Sequence, residues 1–476
     1  MNLLVSRKEK SNKKLGEGIK VPHTLVIISL IILFVSIATY IVPGGAYEKV
    51  VNEAGKTVVV DGSFKYVENQ PQGLFQVLQA PVQGIIDGAE IIAFLFIVGG
   101  AFNLISKTKA IDFGIVNIVN VFKGKEILII PIITFIFSLG GAVFGMSEES
   151  VPFVAILVPL MLVLGYDSIM AVGVTYLACN LGFSSAMLNP FTVGIAQSIA
   201  EIPMFSGIEY RTIIWFITTT VGTLFLMMYA TKIKKNPEFS PVCESDKIKR
   251  ENLTNFGEDK DGFTFTHKII LSLLALCIGI IVWGVLTQGF WIPQIAAVFL
   301  VTGLASGIIG RLSGDEMADA FIEGAKGMIG AAIMIGFARA IVIIAENASI
   351  IDTILYNLAG VIGKLPPLLA ACIMYPIQMF INFFVGSGSG QAALTMPILA
   401  PLGDLIGISR QLTVLIFQFG DGFSNVIFPT SGILIACLGI AGVPFGKWLK
   451  WVMPLQGILF VLAITFITIG SLIGWA

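Results

Sequence analysis

Gly145-Met-Ser-Glu-Glu-Ser150 and Gly386-Ser-Gly-Ser-Gly-Gln391 are the two stretches that decide the fold. Each ends an apolar approach in a small polar tip. Each then runs into nearly the same apolar phrase, Ile156-Leu-Val-Pro-Leu160 in one case and Ile398-Leu-Ala-Pro-Leu402 in the other. One offset holds throughout, since 401 − 159 = 242 and 391 − 149 = 242. Glycine, serine and charge inside apolar sequence mark backbone that cannot face lipid and must line a cavity. A matched pair in two halves points to a binding site at membrane depth.

The rest of the composition agrees with a membrane setting. The 476 residues are 56% hydrophobic and 12% charged, with a mean hydropathy of +0.90, against roughly 25% charged in soluble domains. Apolar runs of about 20 residues, continuous rather than alternating, give an all-α polytopic membrane protein and exclude an outer-membrane barrel. A net charge of −1 offers no basic surplus, so the expected partners are the lipid bilayer and a small-molecule substrate, with no nucleic acid. Five scattered cysteines, four of them in apolar segments, form neither a disulfide framework nor a metal cluster. No metal or cofactor is expected.

Hydropathy places spans at 24–41, 85–105, 168–200 (interrupted), 212–231, 269–286, 292–309, 327–345, 412–440 (interrupted) and 449–473. The two tips sit inside further apolar regions, 126–165 and 366–403, whose short arms and polar ends suggest re-entrant hairpins. Lys107, Lys109, Lys123 and Lys125, the cluster Lys232, Lys234, Lys235, Lys247, Lys249 and Arg250, and Arg311, Lys447 and Lys450 assign their loops to the cytoplasm. Residues 1–22 then form a cytoplasmic N-terminus, ahead of an uncleaved first helix in the cytoplasmic (cell) membrane. The loop from Pro43 to Gln72 faces outside. Two transmembrane halves follow, 23–231 and 268–476, joined by a charged linker at 232–267 that reads as a mobile cytoplasmic loop.

The repeat extends beyond the tips. Gly88-Ala89 returns as Gly324-Ala325, Ile111-Asp112 as Ile351-Asp352, Asn117 as Asn357, Gly165 as Gly407, and Gly182-Phe-Ser184 as Gly422-Phe-Ser424. With both hairpins re-entrant, the crossings counted between the halves make the repeats inverted. The segments 111–122 and 350–362 are short and more polar, and are expected to lie along the membrane surface.

Charge inside a membrane costs roughly 2.5–3.5 kcal/mol at a helix centre, so the acids that remain are candidates for function. Glu148 and Glu149 stand side by side at the first tip, flanked by Ser147 and Ser150. Adjacent carboxylates repel, and one must be protonated or neutralised by a cation. Asp421 lies between Gly420 and Gly422 in an otherwise apolar span and is followed by Asn425, Thr430 and Ser431. The first-half counterpart carries Asn180, Ser184, Ser185 and Asn189. The second tip offers Gly388, Ser389, Gly390 and Gln391. Glu90 and Arg339 are further candidates for coupling or a charge pair, and His23 and His267 read as interfacial anchors. No Walker sequence occurs, and neither histidine sits where a hydrolase would need it, so no enzyme activity is expected.

Glu148-Glu-Ser-Val-Pro-Phe153, Gly388-Ser-Gly-Gln-Ala-Ala-Leu-Thr-Met-Pro397 and Gln418-Phe-Gly-Asp-Gly-Phe423 resemble the YfcC-like branch of the C4-dicarboxylate anaerobic carrier family, over nearly the whole chain. The resemblance implies the ion-transporter superfamily architecture. There, two hairpins and two interrupted helices form a transport domain that moves against a scaffold, as a homodimer, in an elevator-like secondary transporter. It leaves the substrate open between basic amino acids, with arginine/ornithine uptake or exchange, and dicarboxylates.

The residues themselves favour the cation. Glu148, Glu149 and Asp421 suit the positive groups of a basic amino acid, with Ser389, Gly390 and the amides of the second tip on its carboxylate. The alternatives are an H⁺- or Na⁺-coupled carrier of dicarboxylates or other organic anions, in which Arg339 engages the substrate, and a channel or membrane-embedded enzyme.

Overall fold

The structure, a computed structural model, describes residues 24–51, 57–60, 62–111, 113–114, 124–253, 264–288, 290 and 292–475. The N-terminal segment with His23, most of the expected surface segment at 111–122, and Lys123 lie outside the described residues.

Helices dominate the described chain, and they recur in one order in each half. In the first half, α1 (Thr24–Ala38) is followed by α2 (Leu74–Asp87) and α3 (Ala89–Lys107), which meet at Gly88. Next come α4 (Ile129–Phe144) and α5 (Ser150–Val163), the arms of the first hairpin. The interrupted span is α6 (Ser168–Ser184) and α7 (190–199), and α8 (Ile208–Lys235) closes the half. The linker carries α9 (Cys243–Leu253).

The second half opens with α10 (Phe265–Gln288), α11 (Ile292–Ile309) and the pair α12 (Gly314–Gly327) and α13 (Ile329–Asn347), which meet at Met328. The helix α14 (Ile350–Ile362) precedes the second hairpin, α15 (Pro367–Phe384) and α16 (Gly388–Ile406). The second interrupted span is α17 (Arg410–Ser424) and α18 (Gly432–Ala441), and α19 (Phe445–Leu472) ends the chain's described helices. Both interruptions fall within the spans the sequence marks as interrupted, but after Ser184 and Ser424, so that Asn180 and Gly420-Asp421-Gly422 lie inside the helices that precede them.

Local chemistry explains the punctuation. Asp167 caps α6 by accepting from Met170 N at 2.8 Å, and Ser409 caps α17 by accepting from Leu412 N at 3.2 Å. Beyond the breaks, Asn189 accepts from Phe191 N at 2.9 Å and Ser431 from Leu434 N at 3.4 Å. These caps satisfy amides that a helix start leaves unpaired. The left-handed turns ahead of the two spans fall on Gly165 (φ 87°) and Gly407 (φ 79°), where a side chain would be strained. All three pairs keep the 242 offset.

Six described helices are long and apolar enough to cross a membrane, or seven if α12 and α13 count as one bent span. Two of the six contain the first arms of the hairpins, Glu126–Val143 and Pro367–Phe384. Eighteen residues reach about 27 Å, so these arms are longer than the short arms expected from the sequence. The span expected at 327–345 is likewise part of a bent pair, and the one expected at 85–105 starts at Ala89, with Gly88 separating it from α2.

Most of the packing falls into two groups, which meet where α13 lies on α18. In one, α2 lies on α13 and α3 lies on α11 and α12, with α1 on α13 and α10 on α11. The crossings need glycine: a Cβ on Gly84 would run into the carbonyl of Gly336, and one on Gly324 into that of Gly99. In the other group, α4 packs on α6 and α8, and α15 packs on α17 and α19. The second arms cross over, α5 lying on α18 and α16 on α7. Each half thus supplies a wall for the other half's broken helix.

Two features differ from the sequence expectation. The segment 43–72 holds two short antiparallel ladders, β1 (Gly45–Ala46) with β4 (Lys65–Tyr66) and β2 (Lys49–Val51) with β3 (Thr57–Val59). It sits on α14 through Gly45 N to Ser349 O at 2.9 Å, Tyr47 N to Asp352 Oδ2 at 3.1 Å, and Phe64 stacked on Tyr356 with centroids 4.1 Å apart. Nor is the linker a mobile loop over 236–253. Asp246, 1% exposed, accepts from Ser168 N, Ser168 Oγ and Lys249 Nζ, all at 2.7 Å, and Lys249 also reaches Ala441 O at 2.7 Å. Asp167 accepts from Tyr229 Oη at 2.5 Å and Ser240 Oγ at 2.6 Å. Buried polar groups demand such partners, and here they tie the linker to α6, α8 and α18.

Candidate functional site

Each hairpin tip abuts the break in the span that follows it. Gly145 ends α4 in the left-handed region (φ 72°), and a Cβ on it would lie 2.5 Å from Asn189 Oδ1 in the first break. A Cβ on Gly386 would lie 3.7 Å from Thr430 O in the second. The tips and breaks singled out in the sequence are therefore brought together by the fold.

At the first tip, Glu149 is 8% exposed and its Oε2 accepts from Ser147 N at 3.0 Å. Ser150 Oγ donates to Ser147 O at 2.6 Å and lies 4.0 Å from Cys437 Sγ on α18. Glu148 is partly buried, with Glu149, Glu90 and Tyr176 within electrostatic reach. Glu90 thus belongs to the surroundings of the first tip, whereas Arg339 does not join it. Its Nε pairs with Asp87 Oδ2 at 3.4 Å, bridging α13 and α2.

Asp421 is 1% exposed. Its Oδ1 accepts from Asn425 Nδ2 at 3.4 Å, and Oδ2 has no hydrogen-bond partner among the described residues. That oxygen faces the second tip and the first break: a Cβ on Gly388 would lie 2.6 Å from it and 2.6 Å from Thr192 Cγ2. Gly388 begins α16, where helix amides point outward and favour negative charge. Ser387 caps that end by accepting from Gly390 N at 3.3 Å, and its hydroxyl lies 3.3 Å from that of Ser389. Gln391 is turned inward: its Nε2 donates to Gln378 Oε1 at 2.6 Å and Gln378 O at 3.0 Å, pinning one arm to the other.

The remaining candidates shape the breaks. Asn180 Nδ2 donates to Tyr176 O at 2.8 Å, Ser184 Oγ to Asn180 O at 2.5 Å and Ser185 Oγ to Leu181 O at 2.5 Å. Such back-bonding to the preceding turn bends helices. Thr430 is buried, and Ser431 Oγ lies 3.1 Å from Tyr176 Oη.

Four residues to which the sequence reading assigned no role complete the arrangement. Tyr176, in the π-helical turn Gly173–Leu177, donates to Asn425 O at 3.0 Å. Gln418 Nε2 donates to Phe183 O at 2.5 Å. Asn382 Nδ2 reaches Asp421 O at 3.0 Å, Ser424 Oγ at 2.7 Å and Asn425 Oδ1 at 2.8 Å. Thr192 lies against Gly388. Polar residues in an apolar helix were the available signal for Asn382, and the 242 offset for Tyr176 and Gln418. Polar contacts thus form two sets, one from Glu149 through Ser147 and Ser150 to Cys437, the other from Ser431 through Tyr176 and Asn425 to Asp421. An open apolar groove of about 680 Å³ runs between α1, α14 and α15 and reaches the second break at Phe428.

The sequence matches the C4-dicarboxylate anaerobic carrier family over residues 21–472. It is 42% identical over 492 aligned positions to an Escherichia coli (strain K12) protein, YfcC, described as a candidate basic amino acid antiporter, covering 95% of this chain and 97% of that one. It is 33% identical to an uncharacterized Haemophilus influenzae protein, over 86% of this chain and 80% of that one. Among solved structures, the Alcanivorax borkumensis YdaH transporter aligns with 15% identity and a TM-score of 0.42, over 95% of this chain and 99% of that one. Neisseria gonorrhoeae MtrF aligns with 18% identity and a TM-score of 0.38, over 95% and 96%. With its apolar spans and a family match over nearly its whole length, the chain belongs to the C4-dicarboxylate anaerobic carrier family of multi-pass membrane transporters.

Proposed function

We propose that the chain is a secondary active transporter of the cytoplasmic membrane that takes up or exchanges basic amino acids of the arginine/ornithine type. The observation that carries the substrate class is Asp421: a carboxylate shut away from water with one oxygen unpaired. A buried charge of this kind costs several kcal/mol unless a cation or a proton meets it. The acids of the first tip, Glu148 and Glu149, add to the demand for positive charge, and the start of α16 at Gly388, Ser389 and Gly390 supplies amides for an α-carboxylate. A basic amino acid carries both kinds of group. The description of the E. coli relative points the same way.

In this reading Ser147, Ser150, Asn180, Ser184, Ser185, Asn189, Asn425, Thr430 and Ser431 line or shape the two breaks, while Gln391 acts by pinning the arms. The halves are an inverted repeat with re-entrant hairpins, and the group containing hairpins and broken helices moves as an elevator against the group built on α2, α3, α12 and α13, in a homodimer with a cytoplasmic N-terminus. The reciprocal crossing of the second arms supports this division, because it makes the two halves of the site one packed body. Coupling to H⁺ or Na⁺ would also use the acids.

The rival reading, an H⁺- or Na⁺-coupled carrier of dicarboxylates or other anions, takes its support from the family name. Its chosen anion partner, Arg339, is engaged with Asp87. Proteoliposomes loaded with ornithine and supplied with radiolabelled arginine test the proposal. Uptake driven by internal ornithine and competed by lysine is expected, whereas no arginine uptake, or competition by succinate alone, overturns it.

A further inference from the structure

We propose that Tyr176 and Gln418 are reciprocal positioning residues, each reaching from its own half to hold the helix break of the other, so that a ligand that closes one break also closes the other. The geometry is paired. Tyr176 Oη donates to the carbonyl of Asn425, the residue capping the end of α17, and Gln418 Nε2 donates to the carbonyl of Phe183, in the last turn of α6. Both the donors and the acceptors are related by the repeat, since 418 − 176 = 242 and 425 − 183 = 242. Residue i of one half thus meets residue j of the other, and j meets i. That is the signature of a two-fold contact, here between halves of one chain.

Carbonyls at the end of a broken helix have no partner within it. At the second break Tyr176 takes the carbonyl of Asn425, and Trp448 Nε1 takes the next one, Val426 O, at 2.8 Å. The phenol has one proton, which goes to Asn425 O. The hydroxyl of Ser431 then donates to the phenol oxygen while its own oxygen accepts from Leu434 N. One side chain from the first half therefore fixes both edges of the second break, the end of α17 and the start of α18. The π-helical turn around Tyr176 adds a reason: such turns insert a residue that re-aims a side chain, and they gather at functional sites. Gly422 makes the approach possible, since a Cβ there would lie 2.5 Å from Ser184 Cα.

The inference rests on the breaks being the substrate site, and its test separates the two ideas. Hydrogen exchange is followed on purified protein in detergent, at peptides covering 183–191 and 426–434. Tyr176→Phe is expected to speed exchange by about fivefold at 426–434 and not at 183–191, the loss of one net hydrogen bond. Gln418→Leu is expected to do the reverse, with Gln418→Met as the substitute if that variant does not fold. Both variants acting on one segment, or neither acting on the far break, overturns the proposal. In the unaltered protein arginine is expected to slow exchange at both breaks, and in Tyr176→Phe at 183–191 alone. Arginine that still protects both breaks in that variant removes the coupling. Arginine that protects neither break in the unaltered protein sinks the substrate assignment and leaves the exchange pattern to decide the positioning role.

Discussion

Gly388 and Asp421 approach so closely that a Cβ on the glycine would lie 2.6 Å from the carboxylate Oδ2. The start of α16 is thereby held against a buried acid of the neighbouring broken helix. A methyl group has no room there, with Thr192 Cγ2 equally near on the other side. Gly388→Ala is therefore expected to push the tip away from Asp421, at about 1–3 kcal/mol of overpacking. Arginine counterflow should fall at least about tenfold while the protein still purifies as a folded species; unimpaired counterflow would show that the contact is not needed.

Asp421→Asn removes a buried charge whose Oδ2 has no partner. Because an unpaired charge is a net cost to folding, the melting temperature should stay level or rise. Transport should fall by about 100-fold, the equivalent of roughly 3 kcal/mol of lost charge interaction. A lower melting temperature with transport intact would make the acid structural.

Gln391 makes the opposite prediction. Its amide holds Gln378 across the hairpin, and Gln378 Nε2 in turn donates to Thr395 Oγ1 at 3.1 Å. Gln391→Leu leaves buried acceptors unpaired at a cost of about 1–3 kcal/mol. Thermal unfolding should register that loss while the KM for arginine stays within about twofold of the unaltered protein, a change too small to represent a lost hydrogen bond to the ligand.

Asp246 ties the linker to the start of α6, so Asp246→Ala should strand Ser168 and Lys249 and cost about 1–3 kcal/mol. Limited proteolysis is the sensitive measurement: faster cleavage within 236–253 is expected, and an unchanged cleavage pattern would mean that the docking contributes nothing.

Gly84→Ala places a methyl group against the carbonyl of Gly336, which is backbone and cannot rotate away. The α2–α13 crossing should loosen by about 1–3 kcal/mol. A melting temperature equal to that of the unaltered protein would contradict so tight a crossing.

Particular residues show how much of this was legible in the sequence. The breaks after Ser184 and Ser424 were marked by Gly, Asn, Pro and Ser within apolar runs, because such residues either free the backbone or compete for its hydrogen bonds. Asp421, Glu148 and Glu149 stood out because charge is rare among apolar neighbours. The linker misled: its lysines and acids read as solvated, yet Asp246 and Lys249 find partners in α6 and α18 that no local window contains. The direction of Gln391 was not legible, since its place at a polar tip says nothing of where its amide points.

By itself the sequence determined the membrane setting, the two-part repeat, the hairpin tips, the interrupted spans and the acids. Each of these rests on hydropathy, offset or residue type, which are properties of the chain read in order. Only the tertiary structure decided that Arg339 Nε pairs with Asp87, that each half's second hairpin arm lies against the other half's broken helix, and that Tyr176 and Gln418 each donate to a carbonyl of the other half. These are contacts between residues far apart in the chain, fixed by which helix faces meet and by where glycine lets them approach.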